Sequence, residues 1–347
     1  MKAVVLQEGN RLALREVAEP ELRSHDDVIV KVTTSAICGS DIHIKYGMMP
    51  GIHPGTIIGH EFVGTIVELG DDVKRFKPGD RVAAPAAVYC GVCAACKRGE
   101  PQHCAAGGVW AGGDIFGPGL EGAQTSYIRV PYADNCLVPI PDNVADEQAV
   151  FVGDVWSTGY HAAYEPGIRT GDDVAVFGCG PIGLAAVVSA QLFSPKRVFA
   201  VDTMANRLDI AASYGAIPIN PADGDPVGAL RAATAGEGVD VAIEAIGMQQ
   251  TFMQCLDVVR RGGSVSVVGL FPQPFEVPMN RLPFQGIHLH MGLSNTSRMS
   301  RLMGLLETGR VDLSPFVTHT FPLDQAMEAY DLFENHKDRC LKVVLKP

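Results

Sequence analysis

Asp173-Val-Ala-Val-Phe177, Gly178-Cys179-Gly180-Pro181-Ile182-Gly183 and the apolar run Leu184 to Phe193 form the stretch that decides the fold. A short β-branched run enters a glycine-rich turn, and the turn opens an apolar helix. The motif is G-x-G-x-x-G. Its first glycine permits a tight turn, its second lets a pyrophosphate approach the backbone, and its third lets helix and strand pack closely. Such a match alone carries little weight in a chain with 38 glycines. Context strengthens it, because Arg197-Val-Phe-Ala-Val reads as a second strand closed by Asp202, 19 residues after Gly183. A carboxylate there accepts hydrogen bonds from a ribose diol and repels a 2′-phosphate, so the reading is NAD. The alternative role for Asp202 is a helix cap after a strand end. Arg207, five residues on, complicates the charge there.

Outward from this stretch the alternation continues. Met204–Gly215 reads as a helix, and Val239–Gly247 and Ser264–Leu270 as further strands. Strands alternating with helices predict a doubly wound parallel sheet. Upstream the texture differs. Val28–Cys38, Thr56–Gly70 and Asp80–Val88 are β-rich runs separated by Gly, Pro and Asp clusters, which reads as an all-β region. Ser297–Val311 reads as helical and Leu341–Pro347 as a closing strand. The expected domains are 1–152 with 291–347, and 153–290 between them.

With 347 residues, 47% of them apolar, the chain has material for two cores. No run approaches the roughly 18 apolar residues of a membrane span, and the start lacks the pattern of a signal peptide. A cytoplasmic protein is the expectation. The formal net charge of −11 argues against nucleic acid or a membrane surface as partner, since both are polyanionic.

Cys90, Cys93, Cys96 and Cys104 stand in C-x2-C-x2-C-x7-C. Four thiolates with no open position make a closed, structural zinc site. Disulfides suit neither the compartment nor the crowding. Three further segments carry side chains typical of a reactive zinc. These are Cys38-Gly-Ser40-Asp41-Ile-His43, Gly59-His60-Glu61 and Gly153-Asp154. Each alone is equally open to a packing role.

Taken in order, CGSDIH, GHEFVG, the CGVCAACKRGEPQHC loop, GDVWSTGYHAA and GCGPIG resemble the zinc-containing medium-chain alcohol dehydrogenases over essentially the whole chain. The resemblance implies a GroES-like β-barrel catalytic domain, split in sequence, plus a Rossmann doubly wound parallel-sheet cofactor domain. It implies two zinc ions per chain. Cys38, His60 and Asp154 match the catalytic ligands, Glu61 the carboxylate beside the metal, and Asp41 the acid that orients the ligand histidine. Ser40 matches the hydroxyl that contacts the substrate oxygen, and His43 the outer end of the proton relay. Gly178, Gly180, Pro181, Ile182, Gly183, Asp202 and Arg207 are the candidate cofactor contacts, and Lys342 resembles a family basic residue that meets the pyrophosphate, with Arg339 as a competitor and a solvated terminal face as the alternative. Asp154 departs from liver-type members, which have cysteine there, and resembles the bacterial secondary-alcohol branch.

The implied activity is reversible hydride transfer between a small secondary or medium-chain alcohol and NAD, giving a ketone or aldehyde. Alternatives are a polyol (sorbitol-like) dehydrogenase of the same superfamily and, in another class, a non-catalytic dinucleotide-binding protein. The family implies a homodimer or homotetramer. Trp110, Trp156 and Leu293 are open to pocket lining or core packing.

Overall fold

A computed structural model of the chain describes residues 1–117 and 119–347. It divides into two compact units, Met1–Ser157 with Asn295–Pro347, and Thr158–Ser294.

In the second unit, six parallel strands form one sheet. Counted along the unit they are Asp173–Phe177, Arg197–Val201, Ile217–Ile219, Val239–Glu244, Val259–Val267 and His288–Met291, lying in the order 3-2-1-4-5-6. The first strand is therefore central, between Arg197–Val201 and Val239–Glu244. All five of its residues are buried. That is why it reads as a continuous apolar run rather than an alternating one. Order reverses beside this strand, so its carboxyl end, which carries the glycine-rich turn, is the topological switch point where such sheets bind ligands.

The helix Pro181–Gln191 that follows is buried from Gly183 to Ala190. Gly159 permits its close crossing, because an added Cβ there would lie 2.5 Å from the Ala185 carbonyl carbon. Phe177, Val201, Leu230, Phe252, Leu256 and Val265 belong to the core of this unit.

The first unit is organised by the long strand Val28–Ile37. It pairs antiparallel with Phe62–Leu69, with Tyr127–Val130 and, at its far end, with Lys342–Lys346. Val343 opposes Ile37 and Val344 opposes Ala36, so the register brings Lys342 level with Cys38. Phe62 and Trp110 meet edge to face at 5.4 Å in the core, and the Trp110 indole N–H donates to the Pro85 carbonyl at 2.7 Å. The region read as all-β also holds a helix, Gly39–Lys45. Asp41, its third residue, accepts the Cys38 backbone N–H at 3.0 Å. This capping-box geometry starts a helix too short to show its periodicity in sequence.

Candidate metal and dinucleotide sites

Local backbone chemistry aims each proposed donor. Cys38 ends the long strand as the N-cap of the helix Gly39–Lys45. His60 follows Gly59, which has φ of +94° and whose Cβ, if present, would lie 2.5 Å from Gln124 Cγ. Asp154 follows Gly153, where a Cβ would lie 2.1 Å from the Ala84 carbonyl oxygen. Only glycine tolerates either approach. The result brings one donor atom each from Cys38, His60, Glu61 and Asp154 within 4.8 Å of one another.

His60 organises this set. Its Nδ1 lies 3.4 Å from Asp41 Oδ1, while its Nε2 lies 3.3 Å from Asp154 Oδ2 and 3.3 Å from the Ser40 hydroxyl. Asp41 is an acceptor to the Cys38 N–H and to Gln124 Nε2, so the network assigns the imidazole proton to Nδ1. The Nε2 lone pair then faces the other donors, as a metal-binding histidine requires.

Electrostatics favour a cation here. Burial draws the His60 pKa down, but Asp154, Asp41 and Cys38 outweigh it and raise it well above its ordinary range, so without a metal a proton on Nε2 takes the place the cation would fill. Burial pushes the Glu61 carboxyl up, with Lys342 opposing and Asp154 reinforcing the shift. Glu61 Oε2 is buried without a hydrogen-bond partner. Thiol, imidazole and carboxylate donors converging in a compact, anion-rich space fit zinc.

The cysteine loop fits the same ion in its closed form. Cys93 and Cys96 sulfurs lie 3.5 Å apart, Cys93 and Cys104 3.8 Å, and Cys104 and Cys90 3.5 Å. A tetrahedron with Zn–S of about 2.3 Å has edges of about 3.8 Å. The Cys96 backbone N–H pulls the Cys93 thiol down to about 6, whereas burial pushes Cys96 up to about 12. Four thiolates this close need a cation to ionise together. Asn135 holds the loop by donating its amide to the Cys90 carbonyl at 3.0 Å.

In the second unit, Gly178 has φ of +92°, and a Cβ on Gly183 would lie 1.7 Å from the Gly178 carbonyl oxygen. Both glycines are demanded by the fold. Gly180 is not. Its φ is −65°, open to any residue, and its hypothetical Cβ meets nothing within 4 Å. Open space at a position where the chain needs no glycine fits a ligand's close approach, and a pyrophosphate suits the turn.

Asp202 lies just past its strand, accepting the Cys179 N–H at 2.7 Å and the Met204 N–H at 2.8 Å. It therefore braces the glycine turn and the next helix with two lone pairs, and an ionised carboxylate has about four. Arg207 Nη1 stands 3.9 Å from it. Pro181 and Ile182 open the helix, half-buried.

One expectation is corrected. Lys342 matched a pyrophosphate contact, but its side chain is 1% exposed and its Nζ lies 2.5 Å from Glu61 Oε1. The strand register that sets it beside Cys38 commits its charge to a buried carboxylate. Trp110 and Trp156 are core residues, 1% and 0% exposed. Sequence reasoning missed Gln124 and Tyr330, both of which join the network behind Asp41.

The helix Gly39–Lys45 also carries His43, three residues from Ser40 and hence on the same helix face. Burial and then the Lys337 charge lower the His43 pKa.

Comparison with known proteins agrees with this chemistry. Residues 24–142 match the family described as alcohol dehydrogenase GroES-like domain, and residues 181–308 the zinc-binding dehydrogenase family. An alcohol dehydrogenase of Cupriavidus necator is 38% identical over all of this chain and 99% of its own length. The sorbitol dehydrogenase of Bacillus subtilis is 33% identical over all of this chain and 97% of its own. The solved alcohol dehydrogenase of Thermus sp. ATN1 superposes with a TM-score of 0.94 at 38% identity, over all of this chain and 99% of that one. A GroES-like domain, a Rossmann-type sheet and full-length kinship lead to one conclusion: this chain belongs to the zinc-type medium-chain alcohol dehydrogenases, oxidoreductases that work with zinc and a dinucleotide.

Proposed function

We propose that the enzyme interconverts small secondary or medium-chain alcohols and their ketones or aldehydes, with NAD as the hydride carrier. The observation that carries this reading is the convergence of Cys38, His60, Glu61 and Asp154, with the Ser40 hydroxyl 3.3 Å from His60 Nε2. Cys38, His60 and Asp154 would hold the catalytic zinc, with Glu61 beside it, while Cys90, Cys93, Cys96 and Cys104 would hold a structural one. A zinc ion held by the first set would supply Lewis acidity toward the substrate oxygen.

The Ser40 hydroxyl, 3.3 Å from His60 Nε2, accepts the substrate proton as it gives its own toward His43. His43 on the same helix face passes it outward. Its lowered pKa keeps the imidazole neutral at pH 7 and able to accept. Asp41 holds His60 in the tautomer that leaves Nε2 for the metal. Lys342 holds Glu61.

Gly178, Gly180, Pro181, Ile182 and Gly183 would receive the dinucleotide diphosphate. Asp202, with two lone pairs left, would accept from the ribose diol, and Arg207 would steady that carboxylate. NAD is favoured because a 2′-phosphate would face the Asp202 charge. The unit with the metal donors is the catalytic domain, and Thr158–Ser294 the cofactor domain.

We further propose a homodimer or homotetramer, since His288–Met291 is an exposed edge strand of the parallel sheet. Among the described residues no helix is long and apolar enough to cross a membrane. A reducing cytoplasmic compartment suits clustered thiolates.

Polyol oxidation is the second reading, favoured by the sorbitol dehydrogenase relative. Turnover of propan-2-ol, longer primary and secondary alcohols and sorbitol with each dinucleotide, beside zinc content, tests both. NAD-linked activity on the simple alcohols with about two zincs per chain is expected. Preference for sorbitol selects the second reading, and preference for NADP removes the role given to Asp202.

A further inference from the structure

We infer that Gln124 and Tyr330 are positioning residues for the catalytic metal, acting through Asp41 on both His60 and Cys38. The inference rests on the proposed ligand set. Tyr330 Oη donates to Gln124 Oε1 at 2.8 Å, and Gln124 Nε2 donates to Asp41 Oδ2 at 3.0 Å. The same Asp41 oxygen accepts the Cys38 backbone N–H at 3.0 Å, and its other oxygen lies 3.4 Å from His60 Nδ1. One carboxylate thus braces two metal donors, and Gln124 braces the carboxylate.

Direction matters in this chain of bonds. A carboxylate can only accept, so Gln124 must turn its N–H toward Asp41. A flipped amide would set its carbonyl oxygen against the carboxylate. The Tyr330 hydroxyl, donating to the amide oxygen on the other side, and the Ala36 carbonyl, 3.4 Å from Nε2, both support this orientation. Burial raises the stakes: Gln124 and Asp41 are 0% exposed and Tyr330 3%. An amide so placed costs free energy unless its partners are in line.

Packing agrees with the bonding. Gln124 Cγ occupies the space that a Cβ on Gly59 would invade at 2.5 Å. The Gln124 N–H donates to Ile58 and the Ala123 N–H to Gly59, at 2.9 and 2.8 Å. The glutamine is therefore seated under the turn that presents His60. Tyr330 comes from the helix Ala326–Asn335, 206 residues further along, so the C-terminal segment takes part in shaping the donor set.

The test compares full-length wild type with Gln124→Met, Tyr330→Phe and the double variant. Zinc affinity of the catalytic site is measured by chelator competition, the absorption of cobalt in that site is recorded, and kcat and KM are separated. Gln124→Met is expected to weaken metal binding by about 10- to 100-fold, the range for groups that orient metal ligands. It should also shift the cobalt bands and lower kcat more than KM. Tyr330→Phe should do the same to a smaller degree.

The double variant should match Gln124→Met alone, since the two residues act in series. Metal-free variants that melt like wild type, yet keep wild-type zinc affinity and cobalt spectrum, would overturn the inference. Additive losses in the double variant would overturn the serial linkage. A wild-type protein whose cobalt form lacks a thiolate band from Cys38 would instead sink the ligand assignment itself.

Discussion

Lys342 Nζ lies 2.5 Å from Glu61 Oε1, and the two side chains are 1% and 0% exposed. The pair joins the last strand, Lys342–Lys346, to the candidate metal centre. Burial lowers the Lys342 pKa, but Glu61 and Cys38 outweigh it and keep the ammonium charged. Removing one partner leaves the other charge buried and uncompensated. Lys342→Met should therefore destabilise the metal-free enzyme by about 3–5 kcal/mol, whereas Lys342→Met with Glu61→Gln should cost much less than the sum of the singles. Denaturant titration of the four proteins checks this. Additive losses would mean that the pair is not coupled.

Asp202 braces the glycine turn and has a proposed second task at the ribose, and substitution separates the two. Asp202→Ala deletes acceptors for the Cys179 and Met204 N–H groups, so stability should fall by about 1–3 kcal/mol. It should also lower kcat/KM with NAD by roughly 100-fold while leaving NADP much less affected, a discrimination of about 2.7 kcal/mol. The ratio of the two specificity constants is the readout. An unchanged ratio would leave only the brace.

His43 governs a pH prediction. Burial and the Lys337 charge both disfavour the imidazolium, so the folded pKa lies below the ordinary 6.5. As a proton acceptor His43 then works above that pKa and fails as pH falls through it. His43→Ala should slow turnover about tenfold at pH 7 and less at pH 9, where solvent takes the proton more readily. Lys337→Gln removes a positive charge from the imidazole and should move the acid limb of kcat upward. Equal losses from His43→Ala across the pH range would rule out the relay.

The cysteine loop should behave as an independent metal module. Cys104→Ser opens the closed set and should release one zinc per chain while Cys38, His60 and Asp154 keep theirs. Metal analysis after gel filtration distinguishes this from loss of both ions. Asn135→Ala removes the amide that holds the Cys90 carbonyl, at a cost of about 1 kcal/mol and without metal loss.

How far the sequence could be read depended on distance along the chain. Gly178 and Gly183 were legible because a tight turn and a close helix impose themselves within six residues. The four clustered cysteines were legible for the same reason. Gln124 and Tyr330 carried no signal. A lone glutamine and a lone tyrosine look like any others until folding brings them together across 206 positions. The helix Gly39–Lys45 was hidden because seven residues are too few to show a period and its start depends on one Asp41 hydrogen bond.

By itself, the sequence determined the parallel sheet with its glycine turn and the clustering of the four loop cysteines. Those features follow from local backbone freedom and from the spacing of like side chains. Tertiary structure decided what each charge faces. The pairing of Val343 with Ile37 set Lys342 beside Cys38 and turned a presumed pyrophosphate contact into the counter-ion of Glu61. Register is chosen by the whole buried sheet, because a slip of one residue would turn every core side chain to the opposite face. No short stretch of sequence contains that information.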